Sequence, residues 1–406
     1  MVARVGLRFG FWLVFVREIN WLRRRRFLLA LTTIVPLMLA ALMVSIFSAG
    51  LATRLPIAVL DLDTSNLSRS IIRLVDATGD TAVSVRVSDL SEGRQRILSG
   101  DVHGLLMLPK NLERDVFAGR RPEVVFFYNT QTMTTGNLTL RGVNAALPAA
   151  SASIRLSLRT AKGEPFEYAQ ADLAPIPVQT HSLFNPTLNY VHFLLAALLP
   201  AILQIVIVTT SAYSIGLDIE TPYRLRTLRT IGRGLWPALF GKILPYTLLF
   251  MIVLGGPDTI LFQYFGLPLR GHPGLLVLSA LLFILSCQFL GILLALVLKP
   301  TASAISIATL LTAPAFGFMG IGFPRLGMNL FAHYWGAALP GTWYLMARID
   351  QTIRGTPVDL SWQPIGALFC FTAVLASLVA LKLEMIGRGS ERQRRRMLVN
   401  ATGEAR

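Results

Sequence analysis

Residues 27–49 read FLLALTTIVPLMLAALMVSIFSA and carry no charged side chain over 23 positions. At a rise of about 1.5 Å per residue, a helix of this length crosses the roughly 30 Å hydrocarbon core of a bilayer. Four arginines at 23–26 stand immediately before it. A cleaved signal peptide would have a shorter apolar region, of about 7–15 residues, so the run predicts a permanent membrane anchor.

Five more apolar runs of similar length follow, and 53% of the chain is hydrophobic while only 15% is charged. The predicted spans lie at 191–213, 243–264, 274–298, 303–321 and 364–383. Together with the first run they make six transmembrane helices. Between the last two, residues near 317–347 are apolar but interrupted by glycine and proline, which predicts short re-entrant helices at the outer face.

Residues 50–188 differ from the rest because charges of both signs appear among short β-type and helix-type runs. The predicted strands are 56–63, 83–89, 103–109 and 123–130, and the predicted helices begin near Asn66, at Asp89 and near residue 134. Ser65 or Thr64 should cap the first helix, which should bury Leu67, Ile71, Leu74 and Val75, and Asp89 with Glu92 has capping-box spacing. The predicted fold class is an α-helical polytopic membrane protein with an inserted extracytoplasmic mixed α/β domain between the first and second spans.

The net charge of +16 is distributed unevenly between the two sides of the predicted spans. The side that holds residues 1–26, 214–242, Lys299 and 382–406 carries net +14, and the other side carries net +2. This positive-inside bias predicts that both termini are cytoplasmic, and it explains the basic charge without nucleic acid. Residues 1–26 are predicted to form an interfacial segment and 385–406 a basic cytoplasmic tail, both near anionic lipid headgroups.

The sequence lacks the residues that an enzyme or an ion-driven transporter would need. Asp258, in a GGPD break near the outer end of the third span, and Lys242, which can snorkel from its inner end, are isolated ionisable residues. Gly241 and Lys242 do not have phosphate-loop spacing, and the five histidines have no zinc-ligand spacing. We therefore predict no enzymatic activity, no catalytic, cofactor-binding or metal-binding residue, and no cofactor bound by this chain.

Several segments together resemble the permease subunits of ABC type-2 exporters, bacterial drug and lipophile exporters whose ATPase is a separate polypeptide. They are FVREINWLRRRRFLLALTTIVPLML with Glu18 and Pro36, IAVLDLDTSNLSRSI, LLMLPKNLERDVFAGRRPEVVFFYNT, FNPTLNYVHFLLAALLP and the Gly/Pro-rich outer segment. The resemblance covers nearly the whole chain. Its acidic element after the second span departs from the family, because GLDIETPYRLRTL has Glu220 and Thr221 with no intervening glycine.

The resemblance implies a dimeric permease in the bacterial inner membrane that exports an amphiphilic, drug-like or lipophilic substrate. It implies a cytoplasmic ABC ATPase partner that binds ATP and Mg²⁺, a second permease chain, and in some systems a periplasmic adaptor. It also places ATPase coupling in 216–232, with candidate residues Asp218, Glu220, Thr221 and Arg224, and a candidate outer gate at Gly320, Gly322 and Pro324. The alternative interpretation, that residues 216–232 form an ordinary solvated loop, also remains. A receptor or scaffold that senses an extracytoplasmic ligand is the alternative function, and a neighbouring ATPase reading frame would argue against it.

Overall fold

The computed structural model describes residues 10–48, 52–131, 133–163, 165–167, 184–185 and 189–403. The first nine residues of the predicted interfacial segment and the last three of the predicted tail lie outside this range. The chain divides into two compact units, Leu51–His181 and Met1–Gly50 with Ser182–Arg406.

The Leu51–His181 unit contains a four-stranded sheet in the order β2-β1-β3-β4. Its strands are β1 Leu55–Asp61, β2 Thr81–Arg86, β3 Gly104–Leu108 and β4 Val125–Tyr128. Its helices are α3 Asn66–Asp76, α4 Leu90–Ser99, α5 Leu112–Phe117 and α6 Met133–Ala161. Strand β1 is parallel to β2 and β3, whereas β4 is antiparallel to β3. The predicted alternation of strands and helices is therefore present.

Both faces of this sheet are covered by helices. Ile57 and Leu106 share one buried cluster with Val75 of α3 and Ala146 of α6. On α3, Ile72 is buried and Leu74 is exposed. The prediction that Leu74 lies on the buried face is therefore wrong, and Ile72 was missed. On the other face, α4 approaches closely at Gly93, where a side chain would overlap Leu105 of β3.

The helix starts in this unit follow the predicted capping chemistry with one difference. Ser65 caps α3, accepting a hydrogen bond from the backbone N–H of Ser68 at 3.0 Å, and Asp89 caps α4. The Glu92 carboxylate accepts a hydrogen bond from the backbone N–H of Ser88 at 2.9 Å. In the predicted capping box the donor would be the N–H of Asp89, one residue later. The hydrogen bond from Ser88 lowers the pKa of Glu92 below its ordinary value.

The other unit is helical, and six of its helices are long and apolar enough to cross a membrane. They are α2 Arg26–Phe47, α7 Val191–Glu220, α9 Leu235–Gln263, α10 Pro273–Val297, α11 Thr301–Phe318 and the Trp362–Ile386 part of α14 Trp362–Gly403. The short helices are α1 Gly10–Arg24, α8 Pro222–Gly232, α12 Leu330–Ala337 and α13 Pro340–Ile349. The prediction of six apolar spans is confirmed.

The interior of this unit is built mainly from α7, α9 and α10. Phe250, Phe283 and Ile207 are fully buried in one cluster that these three helices share. Helix α9 begins at Leu235, eight residues before the predicted start, and it continues through the predicted GGPD break to Gln263. The break was therefore wrongly predicted, and Asp258 lies inside a helix.

Candidate functional site

Helix α8 is a short element of its own between α7 and α9. Thr221 is extended and ends α7, and Pro222 opens α8 at the position where proline needs no N–H partner. Helix α8 ends at Arg233, whose φ of 53° is left-handed, followed by Gly234. On its buried side, Leu228 packs against Val14 of α1.

The last residue of α7, next to the start of α8, is joined to the first residue of α11. The Glu220 carboxylate oxygen Oε1 accepts a hydrogen bond from the backbone N–H of Thr301 at 2.6 Å. That N–H is one of the free donors of a helix N-terminus, where a carboxylate is favourable. One turn earlier on α7, Gly216 leaves room for the Thr301 side chain, which any Cβ at this position would overlap.

The end of α8 is joined to α1. A Cβ on Gly10 would overlap the backbone carbonyl of Gly232, so glycine at position 10 allows α1 to touch the backbone of α8, while a Cβ on Gly232 would overlap Ala238 of α9. Further along α1, the carbonyl of Phe11 lies against Gly241 of α9 in the same way. The junction of α7 and α8 is therefore held by α11, and the end of α8 by α1.

A buried ion cluster fixes α1 to α7 and α9. The ammonium group of Lys242 lies 2.8 Å from Glu18 Oε1 and 2.8 Å from Asp218 Oδ2. Arg17, which stays partly exposed, approaches Asp218 at 3.7 Å. Because Lys242 is 4% exposed, it does not snorkel, and that prediction is wrong. Three helices thus contribute the charges of one neutral cluster.

A second buried ion pair lies toward the opposite end of the helical unit. Arg348 of α13 donates from Nη1 to Asp258 Oδ2 of α9 at 2.7 Å and to the hydroxyl of Tyr344 at 3.1 Å. The Tyr344 ring stacks on Phe283 of α10 with centroids 4.6 Å apart. Arg348 is 1% exposed, so its charge lies in the interior of the helical unit.

The first turn of α13 rests on the middle of α7. Gln204 of α7 is fully buried, and its Oε1 accepts a hydrogen bond from the N–H of Gly341 at 2.7 Å. A Cβ at Gly341 would overlap this oxygen and the methyl group of Met319. Glycine at this position therefore allows the helix start to reach the amide.

Comparison with known families decides what kind of molecule carries these features. A family model described as ABC-2 family transporter protein matches residues 25–381. The chain belongs to the ABC-2 transporter family. The match includes all of α2, α7, α8, α9, α10 and α11, which are therefore elements of an ABC-2 permease, while α1 precedes the matched residues. A search of curated proteins returned no match.

The four predicted coupling residues of the ABC-2 permease occupy different environments. Arg224 is exposed on α8, Glu220 is exposed while it caps Thr301, and Thr221 is partly buried. Asp218 is buried and pairs with Lys242, so its carboxylate is part of the ion cluster. The coupling role of these residues stays a prediction. Glu18, Lys242 and Arg348 were not predicted as site residues.

The three predicted gate residues of the permease lie in the turn region between α11 and α12. Gly320 has a left-handed φ of 93° and faces the side chain of Arg325. Pro324 precedes the 3₁₀ turn Arg325–Gly327, and Gly322 has open space around it. Burial lowers the pKa of Arg325 from its ordinary value. The gate role itself stays a prediction.

Within the residues that the structure describes, no group of three or more His, Cys, Asp or Glu side chains could hold a metal ion. The chemistry that the described helices offer is electrostatic and mechanical. Ion pairs join α1, α7 and α9, the Glu220 hydrogen bond joins the end of α7 to α11, and close glycine contacts join α8 to α1 and α9.

Proposed function

We propose that this ABC-2 permease is the membrane subunit of an ATP-driven exporter, and that α8 receives mechanical work from a separate ATPase chain. The observation that carries the proposal is the attachment of α8 at both ends. Glu220, the last residue of α7 just before α8, is tied to α11 through Thr301, and Gly232 at the end of α8 touches α1 at Gly10. A push on such a helix reaches both neighbours without an intervening flexible loop.

The outward side of α8 is free for a partner protein. Arg224 and Arg229 are exposed there, while Leu228 holds the helix to the bundle. An exposed basic helix fits an acidic groove, because opposite potentials favour docking of two proteins. In this proposal ATP and Mg²⁺ bind to the partner. Asp218 holds α7 against α9 through its ion pair with Lys242.

The orientation of the chain follows from its charge. The α8 side carries net +14 of the formal charge, which places α8 and both termini in the cytoplasm of a bacterial cell and the Leu51–His181 unit outside. The basic residues of α1 and α14 then lie near anionic lipids of the inner membrane. The permease works as a dimer with a second chain, and a periplasmic adaptor would meet the outer unit.

The expected cargo is amphiphilic, drug-like or lipophilic. The spans present mostly apolar side chains, and the buried charges described above are already paired with each other. Efflux then needs no ion gradient, because the work comes from ATP hydrolysis on the partner. In this proposal Gly320, Gly322 and Pro324 lie at the exit of the pathway.

The first test is whether α8 retains the ATPase. The permease is coexpressed with the ATPase of its neighbouring reading frame and purified by an affinity tag on the permease. We expect Arg224→Glu combined with Arg229→Glu to reduce the copurified ATPase at least ten-fold, since like charges across an interface oppose docking by several kcal/mol. Mass spectrometry of the purified complex gives the ratio of the two chains.

The matched control reverses two exposed arginines of the other unit, Arg86→Glu with Arg94→Glu. This variant should retain the ATPase as the unchanged permease does. The proposal is wrong if the unchanged permease brings down no ATPase, or if the α8 variant retains as much as the control.

The second test is the orientation of the chain in the membrane. In a Cys370→Ser background, Ser91→Cys and Thr230→Cys place one accessible thiol on each proposed side, while Cys287 is buried. We expect an impermeant maleimide to label Ser91→Cys in intact spheroplasts and Thr230→Cys only after lysis. The opposite labelling pattern would invert the topology and place α8 outside the cell.

A further inference from the structure

The hairpin formed by α12 and α13, Leu330–Ile349, is surrounded by hydrogen-bond donors that have no acceptor. Around the hairpin, four buried side-chain nitrogens lack a partner: Nε2 of Gln204, Nη1 of Arg325, Nε1 of Trp335 and Nε of Arg348. Among the residues that the structure describes, a fifth such nitrogen, Nη1 of Arg17, lies beside the ion cluster of α1, and the buried side-chain oxygens without a partner also lie elsewhere, on Glu18, Thr210, Ser214, Tyr246 and Thr301. The unpaired buried side-chain groups around the hairpin are therefore all donors that need a hydrogen-bond acceptor.

The orientation of the Gln204 amide follows from its one hydrogen bond. Gly341 can only donate, so Oε1 faces the α13 N-terminus and Nε2 must face another direction. Gln204 is completely buried, and leaving such a donor unpaired costs about 1–3 kcal/mol. A fully buried, unpaired donor on Gln204 marks the space next to its Nε2, beside the hairpin, as a place for an acceptor.

The charges around the hairpin favour an anion. Arg348 is paired with Asp258, and Arg354 is paired with Asp350 at 3.1 Å. Arg325 bonds the backbone carbonyl of His333 at 3.2 Å, and no described carboxylate lies within ion-pair distance of it. The positive charge of Arg325 therefore has no negatively charged partner among the described residues.

The geometry points to a binding site for an amphiphile of net negative charge whose polar group accepts hydrogen bonds and donates none, such as a carboxylate. Nε2 of Gln204, Nε1 of Trp335 and Nη1 of Arg325 donate to its oxygens, and its apolar chain packs beside Leu339 and Met319. Because Gln204 is buried, the ligand enters when the hairpin separates from α7. This inference rests on the proposed export function and specifies the class of cargo.

The test measures binding to the full-length permease alone, in phosphatidylcholine nanodiscs without any ATPase. Radiolabelled dodecanoate is the probe, and binding to empty nanodiscs is subtracted. We expect saturable binding that unlabelled dodecanoate displaces and dodecyltrimethylammonium, with the same chain and no acceptor, does not. Trp335→Phe removes only the indole N–H and should weaken binding about ten-fold, the effect of losing one unshared hydrogen bond.

The matched control is Trp362→Phe, which changes an exposed indole at the start of α14 and should bind dodecanoate like the unchanged chain. Arg325→Gln is a second variant, should Trp335→Phe elute as aggregate in size-exclusion chromatography. Displacement of dodecanoate by phosphatidylglycerol in the nanodisc would identify a lipid headgroup as the acceptor, and its absence would identify a transported amphiphile.

The inference is overturned if no saturable dodecanoate binding exceeds that of empty nanodiscs, or if dodecyltrimethylammonium displaces it equally well. It is also overturned if every folded variant among Trp335→Phe and Arg325→Gln binds dodecanoate as Trp362→Phe does. None of these outcomes affects the coupling role of α8, because no ATPase is present. Loss of ATPase retention in the α8 variant tests that role separately.

Discussion

Replacing Arg348 with methionine is expected to destabilise the helical unit more than any other substitution discussed here. The change leaves the Asp258 carboxylate buried beside Tyr344 with no cation, and an uncompensated buried charge costs about 3–5 kcal/mol. It also releases α13 from α9. In detergent, we expect the variant to lose its monodisperse size-exclusion peak at a clearly lower temperature than the unchanged chain.

The double variant Asp258→Leu with Arg348→Met separates the cost of the unpaired charge from the loss of the pair itself. A buried ion pair replaced by apolar side chains of similar volume is often neutral or stabilising, so the double variant should recover most of the lost thermal stability. Arg354→Ala, which removes an exposed member of an i,i+4 pair, should have little effect. If Arg348→Met is as stable as Arg354→Ala, or if the double variant is no better than the single one, the buried pair does not hold α13.

The six long apolar helices could be predicted because lipid imposes one simple pattern. A run of about 20 uncharged residues is enough to indicate a span, and the strands of the Leu51–His181 unit were predicted from short β-type runs between helix-type segments. Ser65 and Asp89 were predicted as helix caps because capping is local and depends on neighbouring residues.

The ion pairs could not be located from the sequence because their members are far apart along the chain. Lys242 and Glu18 are separated by 224 positions, and Arg348 and Asp258 by 90. A usable signal was nevertheless present. Asp258 and Lys242 lie within apolar segments, where an isolated charge is so costly that a partner is expected. The sequence therefore indicates that partners exist, and the fold is needed to identify them.

The contacts of α8 were unpredictable for a different reason. Glycines 10, 216 and 232 matter because a neighbouring element approaches each of them closely, and a glycine in a helix gives no sign of what approaches it. Glu220 was expected to contact the ATPase because it is an acid in a basic segment. The structure gives one of its oxygens an internal partner in Thr301, while the side chain remains exposed.

Replacing Glu220 with alanine is expected to separate ATP hydrolysis from export. Without this carboxylate the junction of α7 and α8 is no longer tied to the start of α11, so work delivered to α8 does not reach that span. The variant should insert, fold and retain the ATPase, because Glu220 is exposed and the ion cluster beneath it is unchanged. We expect ATP-dependent export to fall at least ten-fold and substrate stimulation of ATP hydrolysis to disappear.

Glu220→Gln shows which property of the side chain matters. Glutamine keeps an Oε1 that can accept the hydrogen bond from the Thr301 N–H, and it removes the negative charge. If the link to α11 is what couples the two processes, Glu220→Gln should export nearly as well as the unchanged permease. If the charge contacts the ATPase directly, Glu220→Gln should fail like Glu220→Ala.

Export by the permease–ATPase complex in proteoliposomes, measured per ATP hydrolysed for Glu220, Glu220→Gln, Glu220→Ala and Arg354→Ala, tests the role of α8 most directly. The amphiphile exported by the unchanged complex serves as the probe for all four. We expect a low ratio of export to hydrolysis for Glu220→Ala alone, with the ATPase still bound. Normal coupling in Glu220→Ala, with Arg354→Ala behaving as the control should, would contradict the transmission of work through α8.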